Sequence, residues 1–236
     1  MNLPLYWQDQ TTMSWRASVL ESSTDGIMLD ASAFYPGGGG QPPDAGVLEW
    51  DGVFARIEGV RGGGALVPRE GDPVPPVGAC VVGRLDDVRR RSLMRTHSAL
   101  HVVCGVVYRD FGALVTGSNM EPLSGRMDFN LPEVPDGFKS ELERVVNEEI
   151  ARGRAITARI VTRDEALADA DVMRTAQNLI PDQIEQVRII DVQGLDAQAD
   201  SGTHVASTKQ IGEVSITKVE SKGKGFRRVR ITLPNA

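Results

Sequence analysis

The strongest constraint on the fold is a change of character near Leu85, which divides a chain of 236 residues into two unlike parts. Before it, short runs of β type recur at Ser18–Leu20, Gly26–Leu29, Gly46–Trp50, Val53–Ile57 and Ala79–Gly83. Asp51-Gly52, between two of these runs, is a two-residue hairpin signal. The glycines and prolines of residues 62–76 suit loops between short strands. Such strands with frequent turns predict a small barrel or sandwich. After Leu85 the pattern becomes helical. Asp86 or Asp87 can cap a helix that carries residues 89–104 and ends near Tyr108. Phe138, Leu142, Val145, Val146 and Ile150 recur at helical spacing and predict a helix over Phe138–Ala151, with Gly153 as its stop. Thr162 and Glu165 have capping-box spacing and open a short helix through Leu167. Residues 188–192, 214–219 and 228–233 read as strands. The expected class is therefore α+β, with a β-barrel-like domain over residues 1–87 and a mixed α/β domain over 88–236.

Composition narrows the class without naming it. The chain is 41% hydrophobic and 25% charged, ordinary values that allow a packed core without staples. No stretch approaches the roughly 18 apolar residues of a membrane span, and the N-terminus does not read as a secretory signal. Two cysteines, Cys80 and Cys104, make no disulfide framework, so a reduced, cytoplasmic protein is expected. The net charge of −6 argues against nonspecific coating of nucleic acid, which requires many neutralised phosphates. A local basic face is still compatible with it. Lys218, Lys222, Lys224, Arg227, Arg228 and Arg230 face only Glu220 in their stretch, and Arg84, Arg89, Arg90, Arg91 and Arg95 form a second cluster. A solvated face is the ordinary fate of such clusters.

The chain has only three histidines. His97 and His101 stand four apart on a predicted helix, so both rings leave one face a turn apart and can grip one ion. His204 lies in a turn-rich loop, four residues after Asp200. Three nitrogens and one carboxylate oxygen make a plausible tetrahedral zinc set. Spacing alone also fits a structural pair of histidines. Ser98 follows His97 where a metalloprotease would carry its glutamate base, so that motif is absent. Cys104 shares the helical face and is a rival ligand, although burial as a small apolar residue is its commoner use.

Several motifs now fall in one order. Residues 34–44, Phe-Tyr-Pro-Gly-Gly-Gly-Gly-Gln-Pro-Pro-Asp, resemble the glycine-rich segment of AlaX proteins, free-standing relatives of the alanyl-tRNA synthetase editing domain. Arg95-Thr96-His97-Ser98-Ala99-Leu100-His101 resembles their histidine helix. Thr116-Gly117-Ser118 with residues 125–129, Gly202-Thr203-His204-Val205, and the closing segment Ile216 to Arg230 resemble later blocks, so the likeness spans Gly26 to Leu233.

The resemblance implies an N-terminal barrel similar to a translation-factor barrel, followed by an editing domain of the type shared by threonyl- and alanyl-tRNA synthetases. It implies one zinc ion per chain, held by His97, His101, His204 and the residue at position 200. It implies deacylation of seryl-tRNA(Ala), and often glycyl-tRNA(Ala), in trans, since no aminoacylation domain is evident. Two positions depart from the family. Asp200 stands where relatives carry cysteine, and Ser32 where they usually carry threonine. Zinc accepts an Asp oxygen, either directly or with water in the fourth position and Asp200 behind it.

Ser32 and Gln41 are the candidates for reading the substrate's hydroxyl. Gly38, Gly39, Gly40 and Thr203 are candidates for close approach to substrate. Lys222, Lys224, Arg227 and Arg228 are candidate phosphate contacts to tRNA. Whether zinc activates water or orients the ester stays open at this level. Two other functions remain compatible with the residues: a zinc hydrolase of another small ester or amide, and a catalytically silent RNA-binding module.

Overall fold

The computed structural model describes residues 3–169, 172, 174, 175 and 183–235. Two compact units emerge, Met1–Arg91 and Ser92–Ala236. In the first, a short helix α1 (Leu5–Gln8) precedes β1 (Ser14–Ser23), β2 (Gly26–Leu29), β3 (Gly46–Trp50), β4 (Val53–Val60), β5 (Leu66–Pro68) and β6 (Cys80–Leu85). These strands close into an antiparallel barrel in the order β1-β2-β5-β4-β3-β6. Asp51 and Gly52 both take positive φ (45° and 76°), the geometry of the tight hairpin their identities predict. Strict alternation along β1 sends Trp15, Ala17 and Val19 inward against Ile27, Leu48, Ile57, Leu66 and Val81. Gly83 has a packing role in this core. A Cβ there would stand 2.4 Å from the Trp15 indole.

The glycine-rich segment is an ordered loop. Gly37 to Gly40 all adopt positive φ, which side chains rarely tolerate. Gly38 and Gln41 exchange backbone hydrogen bonds at 3.0 and 2.9 Å, and the Tyr35 hydroxyl donates to Gly38 O at 3.1 Å. At its end, Asp44 Oδ2 accepts from Tyr35 N at 2.7 Å and pairs with Arg90 Nη2 at 2.5 Å. Arg90 also donates to Ala33 O and Gln10 O. Arg90 and Asp44 are 0% and 1% exposed. A solvated face describes Arg84 and Arg91, which are exposed, but not Arg90. Arg90 is an internal strut, while Arg89 donates to Pro43 O, Arg91 pairs with Asp87, and Arg84 pairs with Glu49. Helical periodicity brings Arg90 inward, and only a carboxylate distant in sequence makes its burial tolerable.

Asp86 Oδ1 accepts from Arg89 N and caps α2 (Asp87–Phe111), which ends at Gly112 with φ 64°. The helix starts in the first unit and lies mostly in the second. The second unit continues with β7 (Val115–Glu121), β8 (Ser124–Phe129), α3 (Phe138–Ala151), β9 (Ile156–Thr162), α4 (Arg163–Ala168), β10 (Gln186–Val192), β11 (Asp196–Ala199), β12 (Ser215–Ser221) and β13 (Arg227–Thr232). The predicted capping box is present: Glu165 N donates to Thr162 Oγ1, and Thr162 N to the Glu165 carboxylate. Among the described residues, two antiparallel sheets form, β12-β13-β8-β7 and β11-β10-β9. Leu100, Val103 and Val107 of α2 and Leu142, Val146 and Ile150 of α3 share one core with Met127, Phe129, Val229 and Ile231 of the larger sheet.

Truncation of Asp44 to alanine leaves the Arg90 guanidinium buried without its ion partner. Asp44→Ala is expected to cost about 3–5 kcal/mol of stability, and the double variant with Arg90→Met should recover much of that loss. Denaturant unfolding measures both. A single-variant loss below about 1 kcal/mol would show that this pair does not hold the loop.

Candidate metal centre

Helical geometry delivers the first two donors. His97 and His101 project from one side of α2, their ring centroids 5.2 Å apart, and both are almost fully buried. The loop after β11 brings the others. Asp200 N donates to Arg188 O at 2.9 Å, and Arg188 Nη1 donates to Gly202 O at 2.7 Å from β10 beside it. Gly202 N donates to Asp200 Oδ1 at 2.6 Å, an Asx-type turn that tightens the loop. Ser98, the residue after His97, is fully buried. Its Oγ accepts from Val205 N at 3.1 Å and ties the loop to the helix. His204 thereby comes within 4.3 Å of His97 and 4.8 Å of His101, ring centre to ring centre.

The four candidate ligand atoms of His97, His101, Asp200 and His204 all lie within 4.8 Å of one another. Asp200 Oδ2 is 3.2 Å from His97 Nε2 and 3.9 Å from His101 Nε2, and its Oδ1 is 3.1 Å from His204 Nε2. Zinc–ligand bonds of about 2.0–2.2 Å give tetrahedral edges of about 3.3–3.6 Å, which these separations bracket. The donor chemistry also fits, since imidazole nitrogen and carboxylate oxygen both suit a divalent ion of this class. Cys104 is fully buried and is not one of the four. Burial pushes its thiol well above the ordinary range, the environment of a small apolar residue.

The members of the cluster shift one another's charge. Burial opposes ionisation of Asp200, yet the three histidines hold its carboxyl well below the usual range. Burial and the proximity of His97 push His204 well below its ordinary value, toward the neutral, ligating form. His101 differs. Burial opposes its charged form, but Asp196 and Asp200 outweigh that and raise it to about 9.

Nothing in the sequence motifs singled out Asp196. Its Oδ2 sits 2.9 Å from His101 Nδ1, and Gln198 Nε2 donates to the same oxygen at 2.7 Å. A period of two carries the signal: Asp196 and Gln198 on β11 and Asp200 just past its end all reach the histidines.

The remaining candidates fall in other places. Ser32 Oγ accepts from Phe34 N at 3.2 Å, and Ser32 lines a cleft of about 660 Å³ in the first unit with Tyr6, Phe34 and Arg61. Gln41 is 2% exposed in the loop that contains Gly38, Gly39 and Gly40. Thr203 is fully buried next to His204. Lys222 and Lys224 are exposed in the turn between β12 and β13. Arg227 Nη2 donates to Pro132 O at 2.8 Å, and Arg228 makes a two-pronged pair with Asp128 at 2.6 and 2.7 Å. The charge of Arg228 is therefore matched inside the protein.

A family model described as the threonyl and alanyl tRNA synthetase second additional domain matches residues 187–230. An alanyl-tRNA editing protein AlaX-M from Saccharolobus solfataricus is 37% identical over 237 residues, covering 99% of each chain. A protein of the same name from Methanosarcina barkeri is 35% identical over 242 residues, again covering 99% of each. An alanine–tRNA ligase from Pyrobaculum neutrophilum is 35% identical over 239 residues, which span 97% of this chain but 26% of the ligase.

Because His101 is raised to about 9, the metal-free site holds a proton there at neutral pH, and a ligating imidazole must release it. Binding of a divalent ion at pH 7 is expected to liberate about one proton, with affinity rising as pH climbs toward the His101 value. Calorimetry in buffers of different ionisation enthalpy measures this. Binding without proton release would contradict the arrangement.

Proposed function

The chain belongs to the AlaX-M family of alanyl-tRNA editing proteins, which are aminoacyl-tRNA deacylases, and we propose that it hydrolyses seryl-tRNA(Ala), and also glycyl-tRNA(Ala), with one zinc ion per chain. The observation that carries the metal reading is the set of four donors within 4.8 Å. His97, His101 and His204 would hold the ion through Nε2, and Asp200 through a carboxylate oxygen. A bound zinc ion supplies Lewis-acid chemistry at the ester. The chain's own residues arrange everything else. Asp200 offsets the ion's charge, Arg188 fixes the loop, and Ser98 ties that loop to α2 through Val205 N. We assign residues 1–87 as the barrel domain and 88–236 as the editing domain, acting in the cytoplasm.

Selection against the correct amino acid requires a site that alanine satisfies poorly. A pocket that hydrogen-bonds the serine hydroxyl leaves a buried partner unpaired when alanine occupies it. Ser32 and Gln41 are proposed for that role. Ser32 already accepts one hydrogen bond from Phe34 N, and its hydroxyl proton can still donate to a substrate oxygen. Gly38, Gly39, Gly40 and Thr203 are proposed to let the substrate approach closely. Lys222, Lys224 and Arg227 are proposed to contact tRNA phosphates, with Arg228 shaping that face through Asp128.

Deacylation of tRNA(Ala) charged separately with serine, glycine and alanine, with and without chelator, tests the whole reading. Seryl ester turnover that chelator abolishes and zinc restores is the expected result. Turnover of small esters without RNA dependence would point to another hydrolase, and RNA binding without turnover to a silent module. Ser32→Ala is expected to narrow the seryl-to-alanyl rate ratio by about 2- to 10-fold, the worth of one hydrogen bond. An unchanged ratio would remove Ser32 from the reading.

Charge reversal of Lys222 and Lys224 should weaken tRNA binding and make the dependence of log affinity on log salt shallower, by about 0.7–0.9 for each phosphate that is no longer neutralised. Equal slopes in variant and parent would exclude these lysines as phosphate partners.

A further inference from the structure

Asp196 is a buried carboxylate that the proposed ligand set does not use. Its side chain is 0% exposed, and a carboxylate so enclosed is unfavourable unless its oxygens are well partnered. On Oδ2 it meets His101 Nδ1 at 2.9 Å and Gln198 Nε2 at 2.7 Å. On the Oδ1 side, Arg174 Nε stands 3.5 Å away. Arg174 is itself nearly buried, with its guanidinium 3.9 Å above the Tyr108 ring. Asp196 thus sits between one imidazole of the metal cluster and one buried cation.

The orientation of that imidazole follows from hydrogen-bond chemistry. Oδ2 already accepts from Gln198 Nε2, and an accepting oxygen at 2.9 Å from the ring calls for a hydrogen on Nδ1. With Nδ1 protonated, the lone pair of the neutral ring resides on Nε2. Nε2 is also the nitrogen that faces Asp200, 3.9 Å from its Oδ2. Tautomer and ring rotation are therefore set from behind the site.

The backbone carries a second, independent sign of this contact. Gly105 lies one turn beyond His101 on α2, in a helix interior where glycine is otherwise unfavourable. A Cβ at Gly105 would stand 2.7 Å from Leu195 Cγ, 2.9 Å from Leu195 O and 3.0 Å from Asp196 Cβ. The missing side chain is what lets the start of β11 approach the helix closely enough for Asp196 to reach His101.

We propose that Asp196 is a positioning residue for the metal centre: its carboxylate holds His101 as the Nδ1-protonated tautomer with Nε2 directed at the ion, and Gly105 provides the close approach this requires. The proposal rests on the metal reading above. Gln198 donates to the carboxylate in turn, and Arg174 faces its other oxygen at ion-pair distance.

The test compares zinc affinity, by competition with a chromophoric chelator, for the full chain and its Asp196→Ala, Asp196→Asn and Gly105→Ala variants. Asp196→Ala is expected to weaken zinc binding by about 10- to 100-fold. Asp196→Asn should lose less, because its amide oxygen still accepts from Nδ1, and Gly105→Ala should weaken binding with every ligand intact. In the zinc-loaded parent, long-range proton–nitrogen NMR should show His101 protonated at Nδ1 and metal-bound at Nε2. Equal affinities across the parent and both Asp196 variants, or zinc on His101 Nδ1, would overturn the positioning role and leave the metal centre standing. A parent chain that binds no zinc would overturn both. If Asp196→Ala does not fold, the asparagine variant and the NMR tautomer still decide the matter.

Discussion

Three imidazoles and a carboxylate cannot share a few ångströms of protein interior unless charge and geometry are settled together. Asp200 settles both. Its two oxygens reach toward His97, His101 and His204 at 3.1–3.9 Å, and the loop that carries it is tied down on either side. Arg188 on β10 bonds the backbone of that loop, and Ser98 on α2 bonds Val205 just past it. The site is thus a meeting of one helix and one loop, pinned by two polar side chains that themselves are buried and bonded.

The same logic recurs in the first unit with a different purpose. Arg90 and Asp44 form a buried ion pair whose spare hydrogen-bonding capacity is taken up by Ala33 O, Gln10 O and Tyr35 N. Buried pairs of this kind are weak sources of net stability, but they are costly to leave half-made. Their effect is to fix one geometry. Here the geometry fixed is that of residues 34–44, where four consecutive glycines with positive φ would otherwise leave the backbone many alternatives. Rigid anchors around a glycine-rich loop allow backbone to approach a ligand closely without the entropy of a flexible tether.

Charge on the larger sheet is also mostly paired. Arg228 is matched by Asp128, and Arg230 and Lys218 by Glu220, whose carboxyl they hold down to about 2. A run of basic residues in the sequence therefore overstates the free positive charge available to a polyanion. The exposed Lys222 and Lys224 at the turn differ in having no such close ion pair among the described residues.

Sequence by itself determined the elements whose cause is local. Periodicity defined α3 over Phe138–Ala151, the Asp51-Gly52 pair defined its hairpin, the Thr162–Glu165 box defined the start of α4, and an i, i+4 spacing placed His97 and His101 on one face. Those features depend on residues within a turn or two of each other. Motif order, an accumulation of weak local signals, carried the family likeness. Tertiary structure alone decided what depends on partners far apart in the chain. It showed that Arg90 is internal because Asp44 lies 46 residues away, that Ser98 is an anchor for a loop 107 residues later, and that Asp196 stands behind His101 across 95 residues. It also extended α2 to Phe111, past the expected end at Tyr108, because Gly112 rather than the apolar pattern terminates it. Burial and pairing are properties of proximity in space, and a one-dimensional pattern records them only where neighbours in space are also neighbours in sequence.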